Sequence, residues 1–440
     1  MRAALALAVL LAGCAPGPDT PNALDRASLV LTPPEGGARE WTAHYRFTEP
    51  RARMVFLRSR GDYRADSWTP QSNGVRLQRT GLYDTIALDP PAREARFAFQ
   101  PATGPFSRTY DPSLSFTDGG MALYLDQFAL RPLDELTAEW GETLEVPTAQ
   151  PGDFQSNEAA RAPLEVTVST PGRSVFGTRE AHGPVTLCLA CGDDLPAYIY
   201  LGDTPLTEGE SFTALLDPGL PDWLGTALDA SIRDSFAALS DAFGDSLTRK
   251  GQMIANFKGY VLSGRSQSGS IAGDMMILSF EGSAFGERDP RTAQSLATFI
   301  AHEAAHLYQM RNTDFAYTDP WLHEGHATAL SYALEVPLSP RTRAQRDGED
   351  ASCAAALRTR TLRESLREAP YACGQRVWRA LASPSSTPGQ SLAELWDALV
   401  ATAGDAPLGT DHLLAALPAP APLHAALDMT GTDALELLEE

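Results

Sequence analysis

The segment best suited to chemistry is the run His302-Glu303-Ala304-Ala305-His306. On a helix, residues four apart lie on the same face about one turn apart, so both imidazoles can reach a single Zn²⁺ at about 2.0–2.1 Å. Glu303 would lie beside this pair, where a carboxylate can act as the general base for a water molecule that the metal activates. The pattern therefore predicts a zinc site with a base next to it.

A second segment, Trp321-Leu322-His323-Glu324-Gly325-His326-Ala327, begins the next predicted helix. A catalytic zinc ion held by two histidines takes a third ligand from a separate element and keeps its fourth position for water. Glu324 is the predicted third ligand, because the loop over 312–319 lets the second helix fold back onto the first. His323 and His326 lie about 100° and 200° around the helix from Glu324, and we expect both to point elsewhere.

Two Asp-Pro pairs predict where these helices begin. Asp289-Pro290 supplies an N-cap and a first helical residue for a helix that runs to about Arg311. Asp319-Pro320 does the same for a helix that runs to about Glu335. Two adjacent helices would then bring all the candidate ligands to one point.

The rest of the chain predicts an α+β fold. Residues from about 27 to 205 form short β-rich runs punctuated by Gly, Pro, Asp and Asn, which is typical of a β-sandwich-like domain. After about residue 215 the apolar residues recur at helical spacing, and one more strand is predicted over 273–280. The predicted division is a signal peptide (1–13), a linker (14–26), a β-rich domain (27–205), a mainly helical catalytic domain with a small edge-stranded sheet (206–385) and a helical C-terminal region (386–440).

The two helical segments resemble the gluzincin zinc metallopeptidases, especially the aminopeptidase-N-like and glycyl-aminopeptidase-like families. Those families combine a His-Glu-x-x-His helix with a Trp-Leu-x-Glu-Gly-x-Ala segment at a similar distance along the chain. The resemblance implies a thermolysin-like catalytic domain. It also implies one Zn²⁺ ion and assigns the roles as follows: His302, His306 and Glu324 as ligands, and Glu303 as the general base.

Two further segments extend the resemblance. Pro370-Tyr371-Ala372-Cys373-Gly374 is similar to the family's Pro-Tyr-x-Lys-Gly segment, so Tyr371 is expected to stabilise the oxyanion; the alternative is a packing or surface tyrosine. Residues 273–280 would correspond to the edge strand beside the zinc, to which peptides add by backbone pairing. In the aminopeptidases this strand carries Gly-x-Met-Glu-Asn, whose Glu binds a free amine, whereas Met276 stands there in this chain. Asp274 or Glu281 could supply an acidic group, and exo- and endo-cleavage both stay open.

The N-terminus predicts export and lipidation. Met1-Arg2 precedes an apolar run over 3–11, which is too short to span a bilayer. It ends in Leu11-Ala12-Gly13-Cys14, which resembles the lipobox of bacterial lipoproteins; the alternative is a secretory signal with an incidental cysteine. Cys14 is therefore the predicted lipidation site. Ala15 follows it where Asp would suggest retention in the inner membrane, so in a cell with two membranes the resemblance implies an outer-membrane anchor with the body on the periplasmic or outer side.

Four more cysteines are expected to form disulfides in such an oxidising compartment. Cys353 and Cys373 flank a polar, Arg-rich segment and are predicted to pair. Cys188 and Cys191 have the spacing of a redox motif or of half a zinc ribbon, but no second such pair and no thioredoxin-like context accompanies them. A local structural disulfide is the favoured interpretation.

These features predict a zinc-dependent peptidase that acts on a peptide or protein substrate in the bacterial cell envelope and touches the membrane only through its N-terminal lipid. A net charge of −21 argues against nucleic acid as a partner. The alternative from another class is a non-catalytic, lipid-anchored binding or assembly module that retains a gluzincin fold. Hydrolysis of a non-peptide amide or ester would use the same site.

Overall fold

The structure is a computed structural model, and it describes residues 27–34, 40–58, 63–81, 83–102, 111–141, 163–191, 197–244, 247, 250–272, 275–310, 319–335, 338–382, 387–404 and 406–439. The predicted signal peptide and linker, with Cys14, lie outside these residues, as does Asp274. Within the part of the chain so described, no helix is both long enough and apolar enough to cross a membrane.

The N-terminal part is built from two sheets. Its strands are β1 (Ala27–Thr32), β2 (Trp41–Phe56), β3 (Trp68–Pro70), β4 (Val75–Thr80), β5 (Tyr83–Phe99), β6 (Ser113–Ser115), β7 (Met121–Tyr124), β8 (Leu130–Pro132), β9 (Leu164–Val168), β10 (Arg173–Phe176), β11 (Arg179–His182), β12 (Val185–Leu189) and β13 (Tyr198–Leu201). The larger sheet has the order β12-β9-β1-β2-β5-β3, with β4 paired to β5 and β8 paired to β2. The smaller sheet has the order β11-β10-β13-β7-β6. Two short helices accompany them, α1 (Tyr63–Ser67) and α2 (Leu133–Trp140).

The smaller sheet is the middle layer of the molecule. Side chains alternate between the two faces of a strand. Leu123 and Ile199 pack into the core of the larger sheet. Tyr198 and Tyr200, on the opposite face, pack with Ile254 of the sheet that follows in the chain. The β-rich part is therefore stacked on the sheet that borders the candidate site.

That third sheet consists of β14 (Leu206–Glu208), β15 (Phe212–Leu216), β16 (Gly251–Phe257), β17 (Ser266–Ala272) and β18 (Met275–Glu281). Its order is β14-β15-β16-β18-β17, with β15, β16 and β18 parallel and β17 antiparallel to β18. The prediction that residues 273–280 form the edge strand is wrong, because β18 is hydrogen-bonded on both sides. Every residue from Met275 to Phe280 is buried, as expected of an interior strand. At this end of the sheet the edge strand is the polar β17.

The C-terminal part is helical and has one apolar core. The helices are α3 (Asp222–Phe243), α4 (Pro290–Gln309), α5 (Pro320–Leu334), α6 (Pro340–Leu357), α7 (Leu362–Glu368), α8 (Pro370–Leu381), α9 (Pro388–Ala403), α10 (Thr410–Ala416), α11 (Ala421–Leu427) and α12 (Asp433–Glu439). Buried side chains from α3 through α12 form a single cluster with those of the third sheet, so the helices on either side of residue 385 share one core. The predicted α+β class, with a sheet-rich part followed by a helical part, is confirmed.

Candidate metal centre

Helices α4 and α5 carry the candidate ligands, and each begins at its Asp-Pro pair. The side chain of Asp289 accepts hydrogen bonds from the backbone N–H groups of Arg291 (3.2 Å) and Thr292 (3.1 Å), which caps α4. Asp319 does not cap α5 in this way. Its carboxylate accepts instead from the backbone N–H and the hydroxyl of Thr410, at 3.0 and 2.8 Å, so the start of α10 holds the start of α5.

Three predicted ligands converge between these helices. Glu324 Oε2 lies 3.3 Å from His302 Nε2 and 3.4 Å from His306 Nε2. One donor atom from each of the three residues lies within 4.8 Å of the other two. The fold-back of the second helix onto the first therefore brings the two imidazoles and the carboxylate together.

This donor set fits a metal ion. Glu324 Oε2 is buried and has no hydrogen-bond partner, although two imidazole nitrogens stand beside it. A buried carboxylate oxygen left in that state costs free energy unless a cation satisfies it. Around a tetrahedral zinc ion with bonds of about 2.0–2.2 Å, adjacent ligand atoms are roughly 3.3–3.6 Å apart. Both nitrogen-to-oxygen distances match that spacing.

The three residues shift one another's pKa values. Burial by itself would raise the pKa of Glu324, but contacts with His302, His306 and His323 outweigh it and hold that pKa well below its usual range. Burial would likewise lower the pKa of His306, yet its contact with the Glu324 carboxylate raises the pKa to about 9. The metal-free site therefore holds a carboxylate and at least one proton, which a bound cation would replace.

Glu303 lies beside the ligands in a tight pocket. It is only 8% exposed, and burial raises the pKa of its carboxyl group. A β-carbon built on Gly269 would lie 2.6 Å from Glu303 Oε1, so the edge strand β17 touches the candidate base through a glycine. Gly269 lies outside the segment predicted as the edge strand, residues 273–280, and was therefore not expected at the site. The run Ser266–Ala272 begins with five polar or Gly residues and has no apolar alternation, so the sequence carries no strand signal there.

Each imidazole is also held from its far side. Thr328 Oγ1 lies 3.3 Å from His302 Nδ1, and it donates a hydrogen bond of 2.8 Å to the backbone carbonyl of Glu324. Gln309 Oε1 lies 2.7 Å from His306 Nδ1. Gln309 is not among the predicted site residues, although its position three residues after His306 places it on the same helix face.

The two histidines that flank Glu324 behave differently. His323 was expected to point away, and this is wrong: its Nε2 lies 3.3 Å from Glu324 Oε1, and its ring centroid is 5.5 Å from that of His306. Burial lowers the pKa of His323. His326 is fully buried, with ring centroids 4.7 Å from Trp378 and 4.8 Å from Trp396, so it points away from the site as predicted.

Tyr371 lies at the rim of the site. Its ring centroid is 5.8 Å from that of His302, and its side chain is half-exposed. It is the second residue of α8, and a disulfide between Cys373 and Cys353 ties the first turn of α8 to α6. The other predicted pair, Cys188 and Cys191, is joined at the end of β12, far along the chain from these helices.

Comparisons with known proteins agree with this architecture. No protein-family model matches the sequence, and no curated protein matches it. The fold is similar to that of an aminopeptidase N family protein from Idiomarina loihiensis, at 12% sequence identity and a TM-score of 0.58, over 93% of this chain and 78% of the other. An M1 zinc metallopeptidase from Deinococcus radiodurans, 18% identical, aligns over 94% of this chain and 92% of its own with a TM-score of 0.47. At such low identity the likeness concerns the fold: the chain has the two-part fold of an aminopeptidase N family protein, in agreement with the gluzincin resemblance of its motifs.

Proposed function

We propose that this protein is a zinc-dependent peptidase. The observation that carries the proposal is the buried, unpaired Oε2 atom of Glu324, which faces Nε2 of both His302 and His306. A carboxylate and two imidazoles at this spacing are the ligand set of catalytic zinc sites that keep one position open. The adjoining Glu303 adds a base, which a purely structural zinc site does not need.

His302, His306 and Glu324 would hold the ion. Zinc bound there would supply Lewis-acid chemistry, activating water and polarising the scissile carbonyl. Glu303 would take a proton from the attacking water and pass it to the leaving amine. Burial raises the pKa of Glu303, which favours its acting as a proton acceptor.

Tyr371 would donate a hydrogen bond to the oxygen of the substrate carbonyl as negative charge develops on it. Its ring lies beside His302, and its exposure leaves the side chain accessible to a substrate in the cleft. A hydrogen-bond donor aimed at a developing oxyanion is worth several kcal/mol in enzymes, about 2.7–4 kcal/mol when one is removed. The hydroxyl donor of Tyr371 and its ring beside His302 support this role.

The substrate would lie along β17. An edge strand offers unpaired backbone groups to which an extended peptide adds as a further strand. Gly269 on this strand abuts Glu303, so a peptide paired with β17 would pass the base. The strand Ser266–Ala272 contains no acidic residue, and Glu281, which could bind a free amine, pairs with Ser266, three residues along β17 from Gly269. Cleavage of peptides with free and with blocked N-termini would show whether the substrate's free amine is required.

The test is the variant Glu303→Gln, which keeps the shape of the side chain but cannot accept the proton. Zinc should remain bound at one ion per chain, as measured by elemental analysis, while cleavage of a fluorogenic peptide library falls by about 100- to 10,000-fold. Glu94→Gln, in the N-terminal sheet, is the matched control and should stay active. Undiminished turnover by Glu303→Gln would contradict the proposal. Stoichiometric zinc with no cleavage by the unmodified chain would instead favour the non-catalytic binding module.

We further propose that the chain is a lipoprotein of the bacterial cell envelope, lipidated at Cys14. The lipobox-like Leu11-Ala12-Gly13-Cys14 supports this proposal, and so do the two disulfides, which are typical of exported proteins. The test is incorporation of a labelled fatty acid during expression in bacteria. The unmodified chain should carry label and sediment with membranes, and Cys14→Ser should lose both properties. Label that persists in Cys14→Ser would refute the assignment.

A further inference from the structure

A line of buried hydrogen bonds leads away from His306 to the C-terminal helices. Gln309 Oε1 lies 2.7 Å from His306 Nδ1, and Gln309 Nε2 lies 2.8 Å from His326 Nδ1. His326 Nε2 in turn lies 3.1 Å from the backbone carbonyl of Leu392, on α9. Gln309 is 2% exposed and His326 is 0% exposed, so water does not compete for these contacts.

The direction of the Gln309 amide is fixed by a carbonyl outside this line. Gln309 Nε2 also lies 3.0 Å from the backbone oxygen of His323. A carbonyl oxygen only accepts hydrogen bonds, so the atom that faces it is the amide NH₂ group. The second hydrogen of that group then points at His326 Nδ1, which accepts it through a lone pair.

The far end of the line leads to the same assignment. The carbonyl of Leu392 is also only an acceptor, so His326 Nε2 carries the hydrogen that it receives. In a neutral imidazole one nitrogen donates and the other accepts, which again makes His326 Nδ1 the acceptor. The backbone carbonyls of His323 on α5 and Leu392 on α9 thus lead to the same assignment of donors and acceptors.

This pattern of donors determines which nitrogen of His306 carries a hydrogen. With its NH₂ group committed to His323 and His326, Gln309 presents its oxygen to His306 Nδ1, which must donate. When the ring is neutral, as it is once a metal replaces the proton on Nε2, its lone pair is therefore on Nε2, the atom that faces Glu324. We propose that Gln309 and His326 are positioning residues that hold His306 in the tautomer able to bind the metal. This inference rests on the proposed metal site.

Two substitutions of His326 separate this role from simple packing. His326→Phe keeps an aromatic ring between Trp378 and Trp396 but removes the acceptor for Gln309. His326→Asn keeps an acceptor near the place of Nδ1 but loses most of the ring. Zinc affinity, measured by competition with a chromophoric chelator, should fall by about tenfold or more in His326→Phe and by less in His326→Asn, because loss of such supporting hydrogen bonds typically costs 10- to 100-fold.

The opposite order, with His326→Asn binding zinc more weakly than His326→Phe, would overturn the inference, since that order follows from packing alone. Wild-type affinity in His326→Phe would overturn it too.

A second measurement does not depend on zinc or on either variant folding well. In protein labelled with ¹⁵N-histidine, long-range ¹H–¹⁵N correlation spectra distinguish the two neutral tautomers of each ring. His326 should carry its hydrogen on Nε2 in the metal-free chain. A hydrogen on Nδ1 of His326 would disprove the proposed line of hydrogen bonds even if the protein binds zinc and cleaves peptides. Conversely, if His326 carries its hydrogen on Nε2 but the chain binds no zinc, the line of hydrogen bonds is supported and the proposed function is rejected.

Discussion

Gly269 lies directly against the carboxylate of Glu303, and a β-carbon at this glycine would come within 2.6 Å of Glu303 Oε1 and Cδ. Gly269→Ala should therefore displace the base and the ring of Phe299, whose Cζ would lie 2.7 Å from the same carbon. We expect kcat to fall by about 100-fold, because misplacement of a reacting group by about 1 Å costs on that order. Zinc content should be unchanged. Ser268→Ala, one residue away and exposed, is the control; equal activity of Gly269→Ala and Ser268→Ala would show that the contact is not needed.

Tyr371→Phe should lower kcat by about 100-fold and leave KM nearly unchanged, since the lost hydrogen bond forms with the oxyanion and not with the bound substrate. Steady-state kinetics with one good peptide substrate would measure both constants. Tyr371 is half-exposed, so the folded structure should tolerate the change. A rise in KM at constant kcat would mean that Tyr371 binds substrate without stabilising the transition state.

The Cys353–Cys373 disulfide should stabilise the fold more than Cys188–Cys191. The first closes a loop with a sequence separation of 20 residues and the second a loop of 3. In the chain-entropy view the longer loop is worth about 3 kcal/mol. Replacing Cys353 and Cys373 by serine should lower the free energy of unfolding by about that amount in denaturant titrations, and the same change at the other pair should cost about half as much. Equal effects would argue against this account.

The metal-free protein should lose stability as the pH rises from about 6.5 to 9. Glu324 raises the pKa of His306 to about 9, against about 6.5 in an unfolded chain. A raised pKa contributes stability that is complete below the unfolded value and is lost as the pH passes through the folded value. Thermal scans of chelator-treated protein should show Tm falling over this range, beyond any fall in His306→Gln.

Zinc should abolish that dependence, because the bound metal keeps the His306 ring neutral. A chelated sample whose Tm responds to pH no differently from His306→Gln would contradict the coupling between Glu324 and His306.

The metal ligands could be predicted from sequence because local geometry determines their relation. Helical periodicity places His302 above His306, and the Asp-Pro pair at 319–320 starts the helix that returns with Glu324. The edge strand could not be located in this way. An apolar run such as Met275–Phe280 signals burial, and burial on both faces means an interior strand, so a polar strand had to be the edge.

Helical periodicity alone could not predict the contacts of the supporting residues His323 and Gln309. A helical projection places His323 about 100° from Glu324, yet both side chains reach into the same groove between α4 and α5, and their polar atoms meet. The role of Gln309 depends on the backbone carbonyl of His323 and on the ring of His326, both of which belong to the next helix, α5. Contacts of this kind follow from tertiary packing and have no local signature.

Thr410 at the start of α10 holds Asp319, and Trp396 on α9 donates through Nε1 to the backbone oxygen of Gln309, at the end of α4. A chain that ended at residue 386 would lack the residues that support both ligand-bearing helices. Residues on α9 and α10 therefore support both ligand-bearing helices, and a shortened chain that keeps the candidate metal centre must extend at least through α10.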